Sequence, residues 1–279
     1  MPAHLKVHAD AEVFISTLRT LLAQHGLPSF AAWAKWCREI GERYHASREH
    51  HQIPSASLNP YVVVDRIFRQ MRDDDVVACG NASTCILTAK QRLFSNSGSA
   101  SMGYDLPAAI GASFAGEEDN LRRVICFAGD GSLQMNIQEL QTLKTTGRNV
   151  VIVVLNNAGY LSIWQTHENF FGRVIGATPA SGVGFPDFEA VANAYGIKAA
   201  TIRTEADLPR MDALLQEDGP LLLNVVVDPR QEFVPRIKSR VDEDGQFITP
   251  ELDDMHPFLC ASELIEVSRS ALNVTSSSN

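Results

Sequence analysis

Several features on which whole classes of protein depend are scarce or missing in this sequence. Its five cysteines, an odd number without a Cys-x-x-Cys pair, do not form a disulfide framework or a zinc motif. No run of about eighteen apolar residues occurs, so a membrane-spanning helix is not predicted. A net charge of −9 disfavours nucleic-acid binding, which needs basic patches. The remaining class is a cytoplasmic globular protein, for which 45% hydrophobic side chains supply ample core material.

Short apolar runs alternate with helical patterns through the middle of the chain. Strands alternating with helices predict an α/β fold, a doubly wound parallel sheet with helices on both faces. Ligands bind such a sheet at the carboxyl ends of its strands. The predicted strands are residues 75–79, 123–128, 149–155, 198–202 and 220–227, and the predicted helices are residues 59–70, 105–114, 133–146, 187–195 and 205–215.

A glycine-rich turn, Gly129-Asp130-Gly131-Ser132, follows the predicted strand 123–128. Glycine allows a close approach of backbone to phosphate, and Ser132 is a suitable cap for the helix that follows. The amino terminus of a helix attracts anions, and the Asp130 carboxylate offers the hard oxygen that Mg²⁺ prefers. This pattern predicts a site for a phosphate-bearing ligand and its metal ion.

A second turn, Asn156-Asn157-Ala158-Gly159, follows the next strand along the chain. Parallel neighbours would place it beside Asp130. The Asp130 carboxylate, the Asn157 amide oxygen and a backbone carbonyl near Gly159 would then complete a Mg²⁺ octahedron with two diphosphate oxygens and one water. The alternative interpretation is that both motifs are an ordinary turn and an ordinary strand end.

These motifs resemble those of the thiamine-diphosphate-dependent enzymes related to the large subunit of acetolactate synthase, over roughly residues 56–260. The family's cofactor motif also begins Gly-Asp-Gly and closes with Asn-Asn. Residues 96–112 are similar to the segment whose large apolar residue lies under the cofactor and forces its V shape, and Met102 has that position. The alternative for Met102 is a core methionine. A weaker match is Cys79-Gly80-Asn81-Ala82-Ser83, a turn that lies against the diphosphate in such enzymes.

The resemblance implies a set of binding residues for thiamine diphosphate and Mg²⁺. Residues 160–167 would border the substrate cavity, although a helix surface is an equal alternative there. The implied cofactor-binding residues are Gly80, Asn81, Ala82, Ala100, Ser101, Met102, Gly129, Gly131, Ser132, Asn157, Tyr160 and Leu161, and the implied metal ligands are Asp130, Asn157 and Gly159.

The resemblance also implies a division of the chain. Residues 1–55 look like the remnant of a middle domain and a linker, with a strand at 5–7 and helices at 11–25, capped by Asp10, and at 30–44. Residues 56–228 would bind thiamine diphosphate and Mg²⁺. Residues 229–279 would form an irregular carboxyl-terminal arm that ends in a frayed, Ser-rich tail.

The activity that the resemblance implies is decarboxylation of a 2-oxo acid, followed by protonation of the resulting enamine or its addition to a second carbonyl. Family members carry an activating glutamate on a pyrimidine-binding domain, and their sites form between subunits. No such domain precedes residue 56, so we expect a split enzyme with a separate partner chain and an oligomeric assembly. The alternative is an inactive fragment.

Three other interpretations stay open. The chain could be a non-catalytic cofactor-binding or structural subunit. It could be the beta subunit of a 2-oxo acid oxidoreductase, although the cysteine spacing does not supply an iron–sulfur cluster convincingly. A nucleotide-binding oxidoreductase is disfavoured because no Gly-x-Gly-x-x-Gly follows a strand.

Overall fold

A computed structural model describes residues 5–26, 29–44, 57–80, 91–96, 98–115, 122–232, 234, 236–241 and 246–276. The chain divides into two compact units, one of residues 46–234 and one that combines residues 1–45 with 235–279. The boundaries at residues 55 and 228 inferred from the sequence stay predictions.

The described residues form helices and strands in the following order. The helices are α1 (Ala11–His25), α2 (Ala31–Arg43), α3 (Pro60–Phe68), α4 (Asp105–Ser113), α5 (Asp130–Met135), α6 (Glu139–Thr146), α7 (Leu161–Phe171), α8 (Phe188–Ala194), α9 (Leu208–Leu215) and α10 (Ala261–Ser276). The strands are β1 (Val76–Cys79), β2 (Arg92–Ser95), β3 (Val124–Gly129), β4 (Val150–Asn156), β5 (Lys198–Ile202), β6 (Leu221–Val226), β7 (Arg240–Val241) and β8 (Phe247–Ile248).

Within the described part of the larger unit, six parallel strands form one sheet in the order β2-β1-β3-β4-β6-β5. The sheet confirms the predicted α/β fold. Strands β3, β4 and β6 lie inside the sheet and are buried along almost their whole length. Their continuous apolar runs are typical of parallel strands that are covered on both faces.

Two hydrophobic clusters cover the two faces of this sheet. Alternate residues of β3 belong to opposite clusters, with Ile125 and Phe127 in one and Cys126 and Ala128 in the other. The first cluster includes Ile67 of α3 together with residues of α9, and the second includes residues of α4, α6 and α8. Helices therefore pack on both faces, as the doubly wound arrangement requires.

The strand order reverses between β1 and β3, because β2 lies on one side of β1 and β3 lies on the other. Such a reversal opens a crevice beyond the carboxyl ends of the two strands, where ligands bind in folds of this class. β1 ends just before Gly80 and β3 ends at Gly129, in register with Leu155 of β4. The topology thus places Gly80 and the two predicted turns at residues 129–132 and 156–159 at one edge of the sheet.

Three local predictions from the sequence are wrong. The predicted helix 133–146 is interrupted at Asn136, whose backbone leaves the helical region (φ −131°, ψ 37°) and whose side chain donates to the carbonyl of Gly103. Residues 5–7 are not a strand and have no strand partner within the described chain. The expected fraying from residue 271 is incorrect as far as Ser276, where α10 ends, and residues 277–279 lie outside the described residues.

The smaller unit contains α1, α2, α10 and the antiparallel pair β7 and β8. Polar contacts join α2 to α10, among them the Trp36 indole N–H, which donates to Ser270 Oγ at 2.9 Å. Arg43 forms ion pairs with Glu263 at 2.9 Å and Glu266 at 3.3 Å. No helix of the described residues combines the length and the apolar character needed to cross a bilayer.

A buried ion pair lies at the edge of the large sheet opposite the predicted site. Arg123 donates to both carboxylate oxygens of Asp75, at 2.8 and 2.5 Å, and to the carbonyl of Leu215 at 2.5 Å. Asp75 also accepts the backbone N–H of Arg72 at 2.7 Å. Loss of one partner from such a pair leaves an uncompensated buried charge.

We therefore expect Arg123→Met to lower the free energy of unfolding by roughly 3–5 kcal/mol. Urea denaturation of the wild type and the variant measures this change. Arg69→Met is the matched control, because Arg69 pairs with Asp65 on the surface, where a pair contributes about 1 kcal/mol or less. Equal losses in the two variants would contradict the structural role assigned to Arg123.

Candidate functional site

The turn after β3 begins the site. Gly129 is the residue before α5, and no side chain caps this helix. The prediction that Ser132 caps the helix is wrong, because Ser132 is the third residue of α5. Its hydroxyl donates instead to Asp105 Oδ1 at 2.9 Å. Since α5 has only six residues, its dipole is a minor attraction for an anion, and the ligand groups of the turn itself matter more.

Asp130 is a buried carboxylate, 1% exposed, at the carboxyl end of β3. Its Oδ1 accepts the N–H of Gly131 at 2.7 Å, and its Oδ2 accepts the N–H of Gly159 at 3.0 Å. Burial raises the pKa of Asp130 from 3.8 to about 6, and the backbone N–H donors oppose that rise. No lysine or arginine of the described residues pairs with this carboxylate.

The second turn is held by Asn156. Its amide nitrogen donates to Asn224 Oδ1 on β6 at 3.0 Å, and its amide oxygen accepts the N–H of Ala158 at 3.1 Å. The adjacent Asn157 is half-buried, and its side chain makes no hydrogen bond with any residue in the described ranges. The two asparagines therefore differ, since Asn156 shapes the turn and the Asn157 amide stays available to a ligand.

Two glycines allow the turns to approach their neighbours closely. A Cβ atom on Gly131 would lie 2.1 Å from the Tyr160 ring, and one on Gly159 would lie 2.4 Å from the carbonyl oxygen of Ala177. A hydrogen bond also joins these two segments, because the Tyr160 N–H donates to the carbonyl oxygen of Ala177 at 2.8 Å. A side chain at Gly131 would push the first turn away from Tyr160, and one at Gly159 would push the second turn away from the backbone of Ala177.

The loop that contains Met102 lies against the first turn. The N–H of Gly103 donates to Ser132 Oγ at 2.8 Å, and its carbonyl accepts the Asn136 amide at 2.7 Å. Met102 is half-buried, whereas Ala100 and Ser101 are exposed. In the described residues, Ala100 and Ala158 are the non-glycine positions with positive φ, at 48° and 56°. Backbone strain of this kind concentrates at functional sites, and each motif contains one strained residue.

The remaining predicted residues are placed as follows. Gly80 is buried at the end of β1, whereas Asn81 and Ala82 lie outside the described residues. Tyr160 packs edge-on against Phe185 with ring centroids 5.7 Å apart, and the half-buried Leu161 begins α7. The roles of these residues toward a cofactor stay predictions.

Sequence reasoning missed two residues that hold the site together, Asp105 and Asn136. Asp105 is buried at the start of α4 and accepts the Ser132 hydroxyl, and Asn136 holds the Gly103 carbonyl. Burial raises the pKa of Asp105, and the hydrogen bond from Ser132 opposes that rise. A carboxylate in the first turn of a helix is ordinary in a sequence. Its burial here was not indicated by any local pattern.

The fold and the turns define an α/β domain that offers an acidic oxygen, a carboxamide oxygen and close-approach glycines at one sheet edge. The model of the family described as thiamine pyrophosphate enzyme, C-terminal TPP binding domain, matches residues 78–225. The chain belongs to this family, which confirms the resemblance noted from its motifs.

The most similar relatives include acetolactate synthase large subunits. The isozyme 1 large subunit of Escherichia coli K12 is 32% identical over 244 residues, which cover 84% of this chain and 41% of that protein. The large subunit of Parasynechococcus marenigrum is 36% identical over 239 residues, 81% of this chain and 37% of that protein. This chain therefore spans about 40% of the length of these relatives.

A solved structure is also similar to the chain. It is the thiamine diphosphate-dependent 4-hydroxybenzoylformate decarboxylase of Rhodococcus jostii RHA1, with 25% sequence identity and a TM-score of 0.55. The similarity covers 65% of this chain and 34% of that chain.

Gly159→Ala should destabilise the protein, because its Cβ would overlap the backbone oxygen of Ala177. We expect a loss of about 1–3 kcal/mol in the free energy of unfolding, measured by urea denaturation without cofactor. Gly184→Ala is the control, since a Cβ there meets no atom within 4 Å and the residue does not have positive φ. Identical stability of the two variants would show that the Gly159 turn is not tightly packed.

The titration of Asp130 should appear in the stability of the cofactor-free protein. Because its folded pKa of about 6 exceeds 3.8, its contribution to stability is present at low pH and is lost as the pH rises through about 6. The difference corresponds to roughly 3 kcal/mol.

Asp130→Asn removes this titration. Relative to the wild type, its free energy of unfolding should therefore rise by most of that amount, about 2 kcal/mol, between pH 4 and pH 8. Urea denaturation of both proteins across this range measures the change. A difference that does not vary with pH would contradict the burial of a charge at this position.

Proposed function

We propose that this chain binds thiamine diphosphate through a Mg²⁺ ion held by Asp130, Asn157 and the backbone carbonyl of Gly159. The proposal gives the chain the role of cofactor-binding subunit in an acetolactate synthase-like enzyme. Its reaction would be decarboxylation of a 2-oxo acid, followed by protonation of the product carbon or its transfer to a second carbonyl.

The observation that carries the proposal is the contact between Asp130 Oδ2 and the N–H of Gly159 at 3.0 Å. It joins the Gly-Asp-Gly turn to the Asn-Asn turn, although 29 positions separate the two residues in the sequence. Asp130 and Gly159, which are in contact, are both among the predicted Mg²⁺ ligands. They lie in a domain that belongs to a thiamine pyrophosphate enzyme family.

The chemistry of the donor set fits Mg²⁺. This ion prefers an octahedron of oxygens and is commonly held by one or two carboxylates, with phosphates and water completing the shell. The buried Asp130 has backbone donors but no cationic side chain beside it among the described residues, and a divalent cation would balance its charge. The unengaged Asn157 amide lies on the adjacent turn and supplies a neutral oxygen.

The other predicted residues support the organic part of the cofactor. We infer that the backbone of Gly131 and Ser132, with Gly80, Asn81 and Ala82, lies against the diphosphate. Residues 100–102 would lie against the rings, with Met102 under the bend. Tyr160 and Leu161 would border the same cavity.

When bound, thiamine diphosphate would supply a carbon nucleophile for the 2-oxo carbonyl and a positively charged ring that accepts the electron pair left by decarboxylation. The chain's own contribution is then to hold the diphosphate, orient the rings over Met102 and limit the access of water. We further propose that a pyrimidine-binding domain on a separate chain supplies an activating glutamate, in an oligomer located in the cytoplasm. The four cysteines described as free, Cys37, Cys79, Cys126 and Cys260, are consistent with that reducing compartment.

Calorimetry with thiamine diphosphate and Mg²⁺ tests the binding function. We expect the wild-type chain to bind the cofactor and Asp130→Ala to weaken binding by at least about a hundredfold, since loss of groups that merely orient ligands already costs 10–100-fold. Chelation of Mg²⁺ in the wild type should have the same effect. Asp74→Ala is the control, because Asp74 is exposed just before the amino end of β1.

Turnover of pyruvate distinguishes the enzyme from a non-catalytic subunit. Carbon dioxide release that requires both this chain and a co-purifying chain would support the split enzyme. Cofactor binding without turnover under those conditions would favour a non-catalytic subunit. Absence of cofactor binding in the wild type would overturn the proposed function.

A further inference from the structure

Asp105 is a buried carboxylate to which the proposed function assigns no role. It is the first residue of α4 and is 1% exposed, although burial of a carboxyl group away from a cation is unfavourable. The cost of burial shows in its pKa, which lies above the ordinary value. Its burial is therefore unfavourable unless contacts with neighbouring groups offset the cost.

Three turns of the proposed cofactor site meet at this carboxyl group. Its Oδ1 accepts the hydroxyl of Ser132, from the turn after β3. Its Oδ2 lies 2.9 Å from the point that a Cβ on Gly80 would occupy, at the end of β1. Its own helix begins two residues after Gly103, in the loop that contains Met102. The carboxyl group therefore lies where Gly80, the loop of residues 98–104 and the turn of residues 129–132 converge.

The hydrogen bonds of Ser132 have a defined direction. A serine hydroxyl has one proton and two acceptor lone pairs. Its proton is used toward Asp105 at 2.9 Å, so a lone pair accepts the N–H of Gly103 at 2.8 Å. The Asp105 carboxylate thus sets the rotation of the Ser132 hydroxyl, and that rotation determines whether the Gly103 N–H is satisfied.

Gly103 is held from both sides. Its carbonyl accepts the Asn136 amide at 2.7 Å, while its N–H is held by Ser132. Gly103 has a φ of 78°, which favours glycine. A Cβ atom at this position would lie 2.8 Å from the Asn136 side chain and 3.0 Å from that of Met135, so no other residue type fits here. The main chain that carries Met102 is therefore anchored one residue away, to α5 and its carboxyl end.

We propose that Asp105 is a positioning residue for the ring portion of thiamine diphosphate. By orienting the Ser132 hydroxyl toward the Gly103 N–H, it holds Met102 at a set position relative to the Asp130 turn. This role rests on the proposed function, because Met102 has a ring to support only if the chain binds the cofactor. The Asp130 and Asn157 ligands grip the diphosphate end and do not depend on this link.

The test compares two probes on the full 279-residue chain, thiamine diphosphate with Mg²⁺ and inorganic pyrophosphate with Mg²⁺. Asp105→Leu removes the acceptor and keeps a similar volume. It should raise the Kd of thiamine diphosphate about tenfold and change that of pyrophosphate by less than about twofold. Asp105→Asn keeps an acceptor oxygen for Ser132, so its Kd for thiamine diphosphate should stay near the wild-type value. Equal weakening of both probes by Asp105→Leu would overturn the proposal, since the effect would then be general.

A double-mutant cycle with Met102→Ala separates an effect through Met102 from an independent one. If Asp105 acts by holding Met102, the loss of affinity caused by Asp105→Leu should nearly vanish when Met102 is already truncated. Additive losses would overturn the proposal. Should Asp105→Leu fail to fold, Ser132→Ala interrupts the same chain of hydrogen bonds by deletion of one oxygen atom.

Amide hydrogen exchange of Gly103 gives a readout without cofactor. Asp105→Leu should accelerate this exchange about tenfold, whereas Asp105→Asn should leave it near the wild-type rate. Unchanged exchange in Asp105→Leu would overturn the link to Gly103. If the wild type binds thiamine diphosphate and Asp105→Leu binds it equally well, the proposal fails and the proposed function stands. If the wild type does not bind, both fail.

Discussion

The carboxylate of Asp130 and the N–H of Gly159 meet only because β3 and β4 are parallel neighbours in register. That pairing aligns Gly129 with Leu155 and sends both chains out of the sheet at the same edge. The sheet is covered on both faces by hydrophobic clusters, so a slip of register would move buried side chains to the wrong face. The packing of the core thereby sets the relative position of the two turns.

This arrangement buries the Asp130 carboxylate without a cationic side chain beside it among the described residues. Burial raises the pKa of Asp130 to about 6, and backbone N–H groups, those of Gly131 and Gly159 among them, are its hydrogen-bond donors. The contrast with Asp75 is instructive, because Asp75 is equally buried but has Arg123 as an ion-pair partner. One carboxylate is neutralised within the fold and serves stability. The other has no cationic partner in the described part of the chain, and the proposed Mg²⁺ ion would balance its charge.

Much of the fold could be predicted from local pattern. Strands β1, β3, β4 and β6 are apolar runs that are typical of burial in a parallel sheet. Strand β5 is a partly buried edge strand, and its place between two helical patterns indicated it. Strand β2 was missed because its sequence, Arg92-Leu93-Phe94-Ser95, is short and half-exposed at the sheet edge. The break at Asn136 was missed because its partner, the Gly103 carbonyl, lies 33 positions earlier in the chain. Contacts of that kind leave no periodic trace in the sequence.

The residues and their order determined the family resemblance, and they predict a site for a metal ion and a phosphate, because an aspartate, an asparagine and flanking glycines at strand ends offer hard oxygens and space. They also indicated the layered α/β architecture through apolar periodicity. Only the tertiary structure decided which side chains are available. It shows that Ser132 donates to Asp105 and does not cap the helix. It also shows that Asn156 is hydrogen-bonded to Asn224, whereas the Asn157 amide is not engaged by any residue that the structure describes. The physical reason is that hydrogen-bond partners are chosen by proximity in space, and that proximity is established by packing between segments far apart in the chain.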